Sequence, residues 1–595
     1  MPKITVHTGE EVLQIEAKEG LSLLDILAEN SLYVDAPCGG KGICGKCKVA
    51  VKKDGKPYLE NISQEEKRLL TSDEIQKGIR LCCNLNVFES LEVFLPHSKI
   101  GAKILSNLYT NEFEVKSDII IKKVVLEKPS LEDQRSYFSR LKSLLGIGDL
   151  KISNFALRKL TNYKDKEFFT VLYNDEVIDI KQTSDLFGLA VDIGTTTVVC
   201  YIVDLLKGKV LDFYSFVNPQ KKFGADVISR IDFAKAKEDG LFVLQKEIVK
   251  GINEAIKILT SRLSISKDEI YKAVFVGNPT MLHLLLGIDP LSIATSPFVP
   301  VFADKIEARA EDLGLETNKN AILKILDSIS AYVGADIVAG ILSTKMHKSE
   351  KVCLLLDLGT NGEMVLGNKQ FMVAASAAAG PAFEGVNISC GMNASSGAID
   401  SIKIKDGKIE FTTIESGQPK GICGSGIVLA IAYMLEEGII DETGRFCEDA
   451  KEKYKDNFRK INGQTAFFIT DSIYITQKDI RELQLAKAAI SAGIKTMLKE
   501  FGISEDDIDS VFLAGGFGNY ISPWAAVKIG LIPERLKDKI KPAGNTAGNG
   551  AILALLSSKS EKEFEEIKNR VKYIELSSSP QFNELFVESM VFEQG

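Results

Sequence analysis

Histidine is scarce in this chain, with only His7, His97, His283 and His347 among 595 residues, and no two of them lie near one another. A His-rich zinc site therefore has little support. Apolar runs of the 18 or more residues that a membrane span needs are missing, and the opening MPKITVHTGEEVLQIEAKEG lacks the apolar core of a signal peptide. Those absences predict a cytoplasmic protein with no membrane partner. A basic excess is lacking too: 73 Lys+Arg against 81 Asp+Glu leave a net charge of −8, spread along the chain. That excludes nucleic-acid binding driven by bulk charge. Ten Cys are too few for a disulfide scaffold at this length. With 45% hydrophobic and 26% charged residues, and 16 Pro beside 47 Gly, the composition is that of an ordinary globular chain. At about 150 residues per domain, its length predicts several domains.

Half of the cysteines, five of the ten, fall between Cys38 and Cys83, and that clustering needs a chemical reason. The alternating segments ITVHTG and VLQIEA, parted by Gly9 and Glu10, predict a hairpin, and LSLLDILAEN has the helical spacing of Leu23, Ile26 and Leu27. A small β-rich domain with one helix follows. Next comes APCGGKGICGKCKVAV, in which Cys38, Cys44 and Cys47 are spaced C-x5-C-x2-C in a loop with Gly39, Gly40, Gly42 and Gly45. Glycines let backbone N–H groups turn toward sulfur, which suits the negative charge of a two-iron, two-sulfide cluster. IRLCCNLNV offers Cys82 and Cys83 as the fourth ligand on a predicted strand, where neighbouring side chains face opposite ways, so only one of them ligates. Structural zinc is the rival, but it normally brings two C-x2–4-C knuckles and only Cys44 and Cys47 make one. Gly40 to Lys46 reads G-x-x-x-x-G-K, yet Cys47 stands where a P-loop needs Ser or Thr, and no helix is predicted after it.

The cysteine run resembles plant-type [2Fe–2S] ferredoxins, which implies a β-grasp fold. The opening loop is one residue longer than the plant spacing and is similar to the adrenodoxin-like branch, where the distant Cys follows Arg-Leu and one small residue. By that resemblance Arg80-Leu81-Cys82-Cys83 makes Cys83 the fourth metal ligand, beside Cys38, Cys44 and Cys47, and leaves Cys82 a buried spare.

Residues 1–96 are thus assigned to the ferredoxin-like domain and 97–115, weakly periodic, to a linker on which it swings. Residues 116–186 read as a small α+β middle domain: SDIIIKKVVLE as a strand, PSLEDQRSYFSRLKSLLG as one amphipathic helix from Pro129 to Gly146, and EFFTVLYNDEVIDI as further strand. From 187 to 595 the chain is one large domain. There LAVDIGTTTVVCYIVDL places Asp192-Ile193-Gly194-Thr195-Thr196-Thr197 at the tip of an apolar hairpin, where backbone N–H groups and three hydroxyls can meet phosphate and Asp192 can hold magnesium through water. CLLLDLGTNGEMVLG repeats the arrangement 165 positions later with Asp357, Gly359, Thr360, Asn361 and Gly362. SVFLAGGFGNY then leads a strand into Gly515-Gly516, where missing side chains leave room for adenosine against backbone. Taken singly, the first hairpin reads equally as an ordinary turn and Gly515-Gly516 reads better as one; together and in this order the three motifs point to a nucleotide.

The three motifs resemble the acetate and sugar kinase, Hsp70 and actin (ASKHA) superfamily, which implies two duplicated α/β halves with ATP and Mg2+ between them. GSGIVLAIAYMLEEG and the segment after VFVGNPTMLHLLLG would be its connecting helices. Over the whole chain, the order of ferredoxin, linker, middle domain and ATPase resembles the reductive activators of corrinoid proteins. NPQKKFGADVISRI, AAAGPAFEGVNISCGM, GICGSG, ITQKDI and AGGFGNYISP carry that match, and no Cys follows Cys447, so the variant with a C-terminal Cys-rich cluster domain is excluded.

This resemblance implies an enzyme coupling ATP hydrolysis to one-electron reduction of cob(II)amide to cob(I)amide on a corrinoid protein, with an upstream low-potential electron donor and a homodimeric assembly. Plant-type clusters sit near about −400 mV and the cobalt couple is implied to lie lower, each 100 mV of gap costing about 2.3 kcal/mol per electron. Asp192 and Asp357 would then position magnesium; Gly194, Thr195, Thr196, Thr197, Gly359, Thr360 and Asn361 would hold phosphate. Gly515 and Gly516 would cradle adenosine. Glu384 in GPAFEG either orients water or steadies its loop. Ser389 and Cys390 read as packing ahead of partner contact, Asp226 and Arg230 as an i,i+4 helix pair, and Cys200 and Cys353 as small buried thiols. Three alternatives stand beside this reading: a small-molecule kinase with a redox-sensing ferredoxin domain, an activator of the 2-hydroxyacyl-CoA dehydratase type, and a plain electron carrier.

Overall fold

The computed structural model describes residues 2–7, 12–30, 34, 42, 45, 47–95, 115–163, 167–461, 463–518 and 520–592. Cys38, Cys44, the rejected P-loop match apart from Gly42 and Gly45, and all of the expected linker except Val115 lie outside them. Near the N-terminus a sheet runs in the order Val12–Glu16, Lys3–His7, Leu91–Phe94, Lys48–Lys53, Lys56–Pro57, with Ile79–Leu81 also pairing Lys48–Lys53. Lys3–His7 is antiparallel to Val12–Glu16 and parallel to Leu91–Phe94, the crossover that makes a β-grasp ferredoxin fold. Leu23, Ile26 and Leu27 of the Leu23–Glu29 helix are buried in a core that this sheet owns, with Ile4, Val6, Val51 and Val93. A fully buried pair locks the approach to the distant cysteines: Arg80 Nε donates to Glu66 Oε1 at 2.8 Å and Nη2 to Oε2 at 2.9 Å. Burial opposes the Glu66 charge, yet Arg80 and the Ser63 and Leu81 amides hold its carboxyl below the usual range.

After Val115 comes a four-stranded sheet in the order Ile119–Val125, Glu167–Tyr173, Glu176–Lys181, Lys151–Ile152. Its first helix is shorter than the sequence predicts, running Tyr137–Leu145 with Ser136 as N-cap and Gly146 left-handed at φ 68°. Residues 131–135 offer no apolar stripe to bury, and Leu131 is 87% exposed. Asp133 there pairs with Arg135 and Arg140 instead.

Two six-stranded sheets follow with the same internal order. In the first, Lys209–Val217, Thr197–Asp204, Phe187–Ile193, Ile270–Gly277 and Ile322–Ile325 lie side by side; in the second, Met372–Ala377, Gly362–Gly367, Val352–Leu358, Ile508–Ala514 and Ile540–Gly544 do. Each has an antiparallel three-strand meander whose first strand takes a parallel neighbour on its other side. This is the duplicated α/β architecture of the ASKHA fold. The two central strands are apolar almost throughout, as strands covered on both faces must be.

The helices between the sheets are not the expected ones. Ala335–Thr344 and Thr546–Leu556 pack on each other there, close enough that a Cβ at Gly550 would lie 2.3 Å from the Ala339 carbonyl oxygen. Gly424–Glu436 instead lies in the second half against the Ala398–Lys405 strand. Its glycines serve close packing: a Cβ at Gly426 would stand 2.2 Å from the Ile399 carbonyl oxygen. Past Gly287 only the one-turn helix Leu291–Ala294 follows before the 306–325 strands, so no connecting helix forms there.

Candidate functional site

Both predicted hairpin tips form, and in each the glycine N–H closes the turn, over three residues in the first and two in the second. Gly194 N–H donates to the Thr197 carbonyl at 3.0 Å, and Gly359 N–H donates to the Asn361 carbonyl at 3.0 Å. The first tip is braced from below: Asn218 Nδ2 donates to the Gly194 carbonyl at 2.8 Å and Arg230 Nη2 to the Thr195 carbonyl at 2.5 Å. Arg230 is therefore no surface partner of Asp226. It turns inward and is fully buried, while Asp226 caps the Val227–Ala236 helix through the Ser229 amide. Asn278 Nδ2 donates to Thr195 Oγ1 at 3.0 Å, which leaves the hydroxyl proton of that buried Thr195 to be given elsewhere.

The tips meet across the cleft. Thr196 Oγ1 and Thr360 Oγ1 are 3.5 Å apart, and Glu384 joins them, accepting from Thr196 at 2.8 Å and from Thr360 at 2.7 Å. Asp192 and Asp357, at the roots of the two tips, are half-buried. Burial pushes Asp192 up to about 6, against a hydrogen bond of 2.9 Å from Asn545 Nδ2. Burial and the Asp192 charge push Asp357 up to about 7.

Two more carboxylates crowd the same floor. Asp336 is pushed up to about 8 by burial, Asp357 and Asp192, and Glu363 is pushed well up by burial, Asp336 and Asp357. Among the described residues no three such groups converge tightly enough to grip an ion directly. The fit is to a hydrated divalent cation, whose charge relieves this repulsion while water fills the gaps.

Gly515 lies against the second tip, its φ +86° and its missing Cβ 2.4 Å from Asp357 Oδ1, so any side chain there would strike the carboxylate. Gly516 faces open space, with nothing within 4 Å of the place a Cβ would take.

At the ferredoxin end, Cys47 Sγ and Cys83 Sγ are 3.3 Å apart, a separation suited to two thiolates on one iron. Cys82 and Cys83 lie in the turn after the Ile79–Leu81 strand, not on the strand itself. They still face apart: Cys82 is fully buried, with its thiol pushed up by burial and by Cys47, whereas Cys83 is half-buried. The left-handed Gly42 (φ +69°) passes so near Asn84 that a Cβ would come within 2.9 Å of Asn84 Oδ1.

Ser389 is tied down by Asp479, which accepts from its amide at 2.7 Å and its hydroxyl at 3.0 Å while capping the Gln477–Phe501 helix with Thr476. Cys390 is half-buried with its thiol 3.8 Å from the Ser472 carbonyl. Cys200 and Cys353 are buried in their strands.

Sequence reasoning missed Asp336, Glu363, Asn278 and Asn545. Glu363 follows directly on Gly362 of a hairpin already singled out, Asp336 stands in the first turn of an apolar helix, and each Asn heads one as its N-cap.

Residues 351–595 match a family model described as the C-terminal domain of RACo, the ASKHA domain; residues 187–349 match the RACo middle region; residues 7–87 match the 2Fe-2S iron-sulfur cluster binding domain. The chain is 32% identical over 602 residues to corrinoid activation enzyme RamQ of Eubacterium limosum, covering 97% of each. It is 27% identical over 437 residues to a [Co(II) methylated amine-specific corrinoid protein] reductase of Methanosarcina barkeri, covering 68% of this chain and 76% of the relative. A solved reductive activator for corrinoid,iron-sulfur protein aligns with a TM-score of 0.75 at 33% identity, over 100% of this chain and 98% of that one.

Proposed function

The chain belongs to the family of reductive activators of corrinoid proteins, and from that premise we propose that it returns a corrinoid protein from cob(II)amide to cob(I)amide by one electron, driven by ATP. The supporting observation is that a single chain holds the Cys47–Cys83 thiol pair together with two facing Asp-x-Gly-Thr hairpins whose hydroxyls meet across one cleft. Neither part alone would suffice for an uphill transfer.

Roles follow from placement. Cys38, Cys44, Cys47 and Cys83 hold a [2Fe–2S] cluster, which when bound supplies reversible one-electron transfer. Cys82, turned into the core, keeps the strand end packed. Asp192 and Asp357 hold Mg2+ through water, with Asn545 steadying Asp192. Thr195, Thr196, Thr197, Thr360 and Asn361 donate to phosphate oxygens, and Gly194 and Gly359 let those tips turn. Gly515 and Gly516 leave adenosine its room.

ATP does no chemistry on the corrinoid in this reading; its binding and hydrolysis change how the two halves stand to one another, and with that the grip on the partner. An upstream low-potential donor refills the chain, the setting is cytoplasmic, and a homodimer is the assembly that the family resemblance implies. No described helix is long and apolar enough to cross a membrane.

The test mixes the cluster-reduced protein with a partner carrying cob(II)amide and follows Co(I) absorbance with and without Mg-ATP. Co(I) should accumulate only with Mg-ATP. A trace that ignores ATP would remove the energetic coupling.

A further inference from the structure

Glu384 stands where the two halves of the cleft meet. One of its carboxylate oxygens accepts from Thr196 of the first half at 2.8 Å and the other from Thr360 of the second at 2.7 Å. Those are the same hydroxyls that the nucleotide reading assigns to phosphate. A carboxylate and a phosphate each present anionic oxygens at this distance to a hydroxyl donor, and two anions cannot share so small a space without strong repulsion. We propose that Glu384 is a phosphate-mimicking latch: in the nucleotide-free chain its carboxylate takes the phosphate's place between Thr196 and Thr360 and ties the two halves, and an entering nucleotide displaces it. The proposal rests on the nucleotide reading of the cleft and adds to it a competitor within the chain.

The surroundings show which part can move. Glu384 ends a short 3-10 turn, Pro381–Glu384, set between Gly380 at φ 75° and Gly385 at φ 74°. Its main chain is held on several sides. Phe383 is 1% exposed and stacks on Phe517 with ring centroids 4.9 Å apart. A Cβ at Gly424 would lie 1.6 Å from the Phe383 carbonyl oxygen, and one at Gly385 would lie 2.7 Å from the Met392 carbonyl oxygen. Release therefore falls to the Glu384 side chain, which is half-buried at the cleft and has the torsional freedom to swing away. Because its turn packs with the second half, the bond to Thr196 is the one that crosses between halves, so displacing the carboxylate both opens the phosphate place and unties the lobes.

The experiment is a calorimetric titration of the full, cluster-reconstituted chain with Mg-AMPPNP, without any corrinoid partner. Removing an internal competitor tightens binding: Glu384→Ala is expected to lower Kd about tenfold or more, and Glu384→Gln by less, since the amide keeps a hydrogen bond but not the charge. Thermal melting gives a readout that a merely structural or water-orienting carboxylate does not move in this way. Nucleotide-free Glu384→Ala melts below the unsubstituted chain, and the two Mg-AMPPNP complexes melt together. A folded Ala variant with unchanged or weaker affinity overturns the latch; should that variant not fold, Glu384→Gln decides by the same sign. An unsubstituted chain that takes up no Mg-AMPPNP overturns the nucleotide reading and the latch together, whereas one that binds while the variants fail to tighten overturns the latch alone.

Discussion

Four carboxylates on one cleft floor, Asp192, Asp336, Asp357 and Glu363, all have their protonated forms favoured, because burial and mutual repulsion act on each in the same sense. Asp192 is pushed up to about 6, Asp357 to about 7 and Asp336 to about 8. All exceed the roughly 4 of an unfolded carboxyl, so between about pH 4 and 8 these groups bind more protons in the folded chain than in the unfolded one. Their contribution to stability is complete below about pH 4 and is lost as pH rises through 6 to 8. A divalent cation favours the charged forms and reverses the sign locally. Mg-ATP binding at pH 7 is accordingly expected to expel protons, Asp357 among their sources. The check is the binding enthalpy measured in buffers of different ionisation heat. Asp357→Asn should flatten that dependence and also lessen the fall in nucleotide-free melting temperature between pH 5 and 8. An enthalpy indifferent to buffer in the unsubstituted chain would contradict the picture.

The turn at Cys82 and Cys83 shows how an element decides what its residues can do. The Ile79–Leu81 strand is pinned by the Arg80–Glu66 pair, and Cys82 is then held on both sides of its peptide: its N–H donates to the Cys47 carbonyl at 2.9 Å and its carbonyl accepts from Leu24 at 3.1 Å. Only Cys83 is left to bring its sulfur to Cys47. Cys82→Ala should therefore assemble with the visible absorbance of a [2Fe–2S] protein and lose about 1–2 kcal/mol for the buried sulfur, whereas Cys83→Ala should come out without that absorbance. Equal colour in both variants would exchange the two roles. Elements of this kind were legible in sequence where a chemical pattern coincided with an apolar run, as in VDIGTTTVV and LDLGTNGEM. What escaped was whatever the chain assembles from afar. Asn545 reaches Asp192 across 353 positions, and Asp336 and Glu363 gain meaning only when the second sheet is set beside the first. Local reading also overran where the pattern lapsed: the helix predicted from Pro129 starts only at Tyr137, because residues 131–135 offer no apolar stripe to bury.

At the scale of the whole molecule, the small sheet after Val115 is fastened to the ATPase halves by charge buried at a three-way junction. Asp118 enters from the small sheet, Lys272 and Lys324 from the first six-stranded sheet, and Glu561 from the Ser558–Arg570 helix near the C-terminus. Lys272 Nζ lies 2.7 Å from Asp118 Oδ1 and 2.6 Å from Glu561 Oε1; Lys324 Nζ lies 2.7 Å from Glu561 Oε2 and also pairs with Asp118. Burial works against the charges of Lys324 and Asp118, yet the carboxylates keep Lys324 above its usual range and the lysines keep Asp118 below its own. Lys305, 3.7 Å from Glu561, and Glu307, 3.7 Å from Lys324, extend the network at its rim, and the four inner charges make it sensitive to the loss of any one of them. Lys272→Ala would leave two buried carboxylates facing Lys324, with Lys305 3.7 Å from Glu561 Oε2, and should cost about 3–5 kcal/mol in denaturant unfolding. The ferredoxin-like domain has its own core, separate from the one that runs beneath this junction. In the same Lys272→Ala titration, the cluster's visible absorbance should therefore disappear at the denaturant concentration seen in the unsubstituted chain, while far-ultraviolet circular dichroism of the large unit shifts to lower concentration. If absorbance and dichroism move together, the two units share one cooperative transition, and the idea of an electron-carrying domain folding independently of the nucleotide-binding halves must be given up.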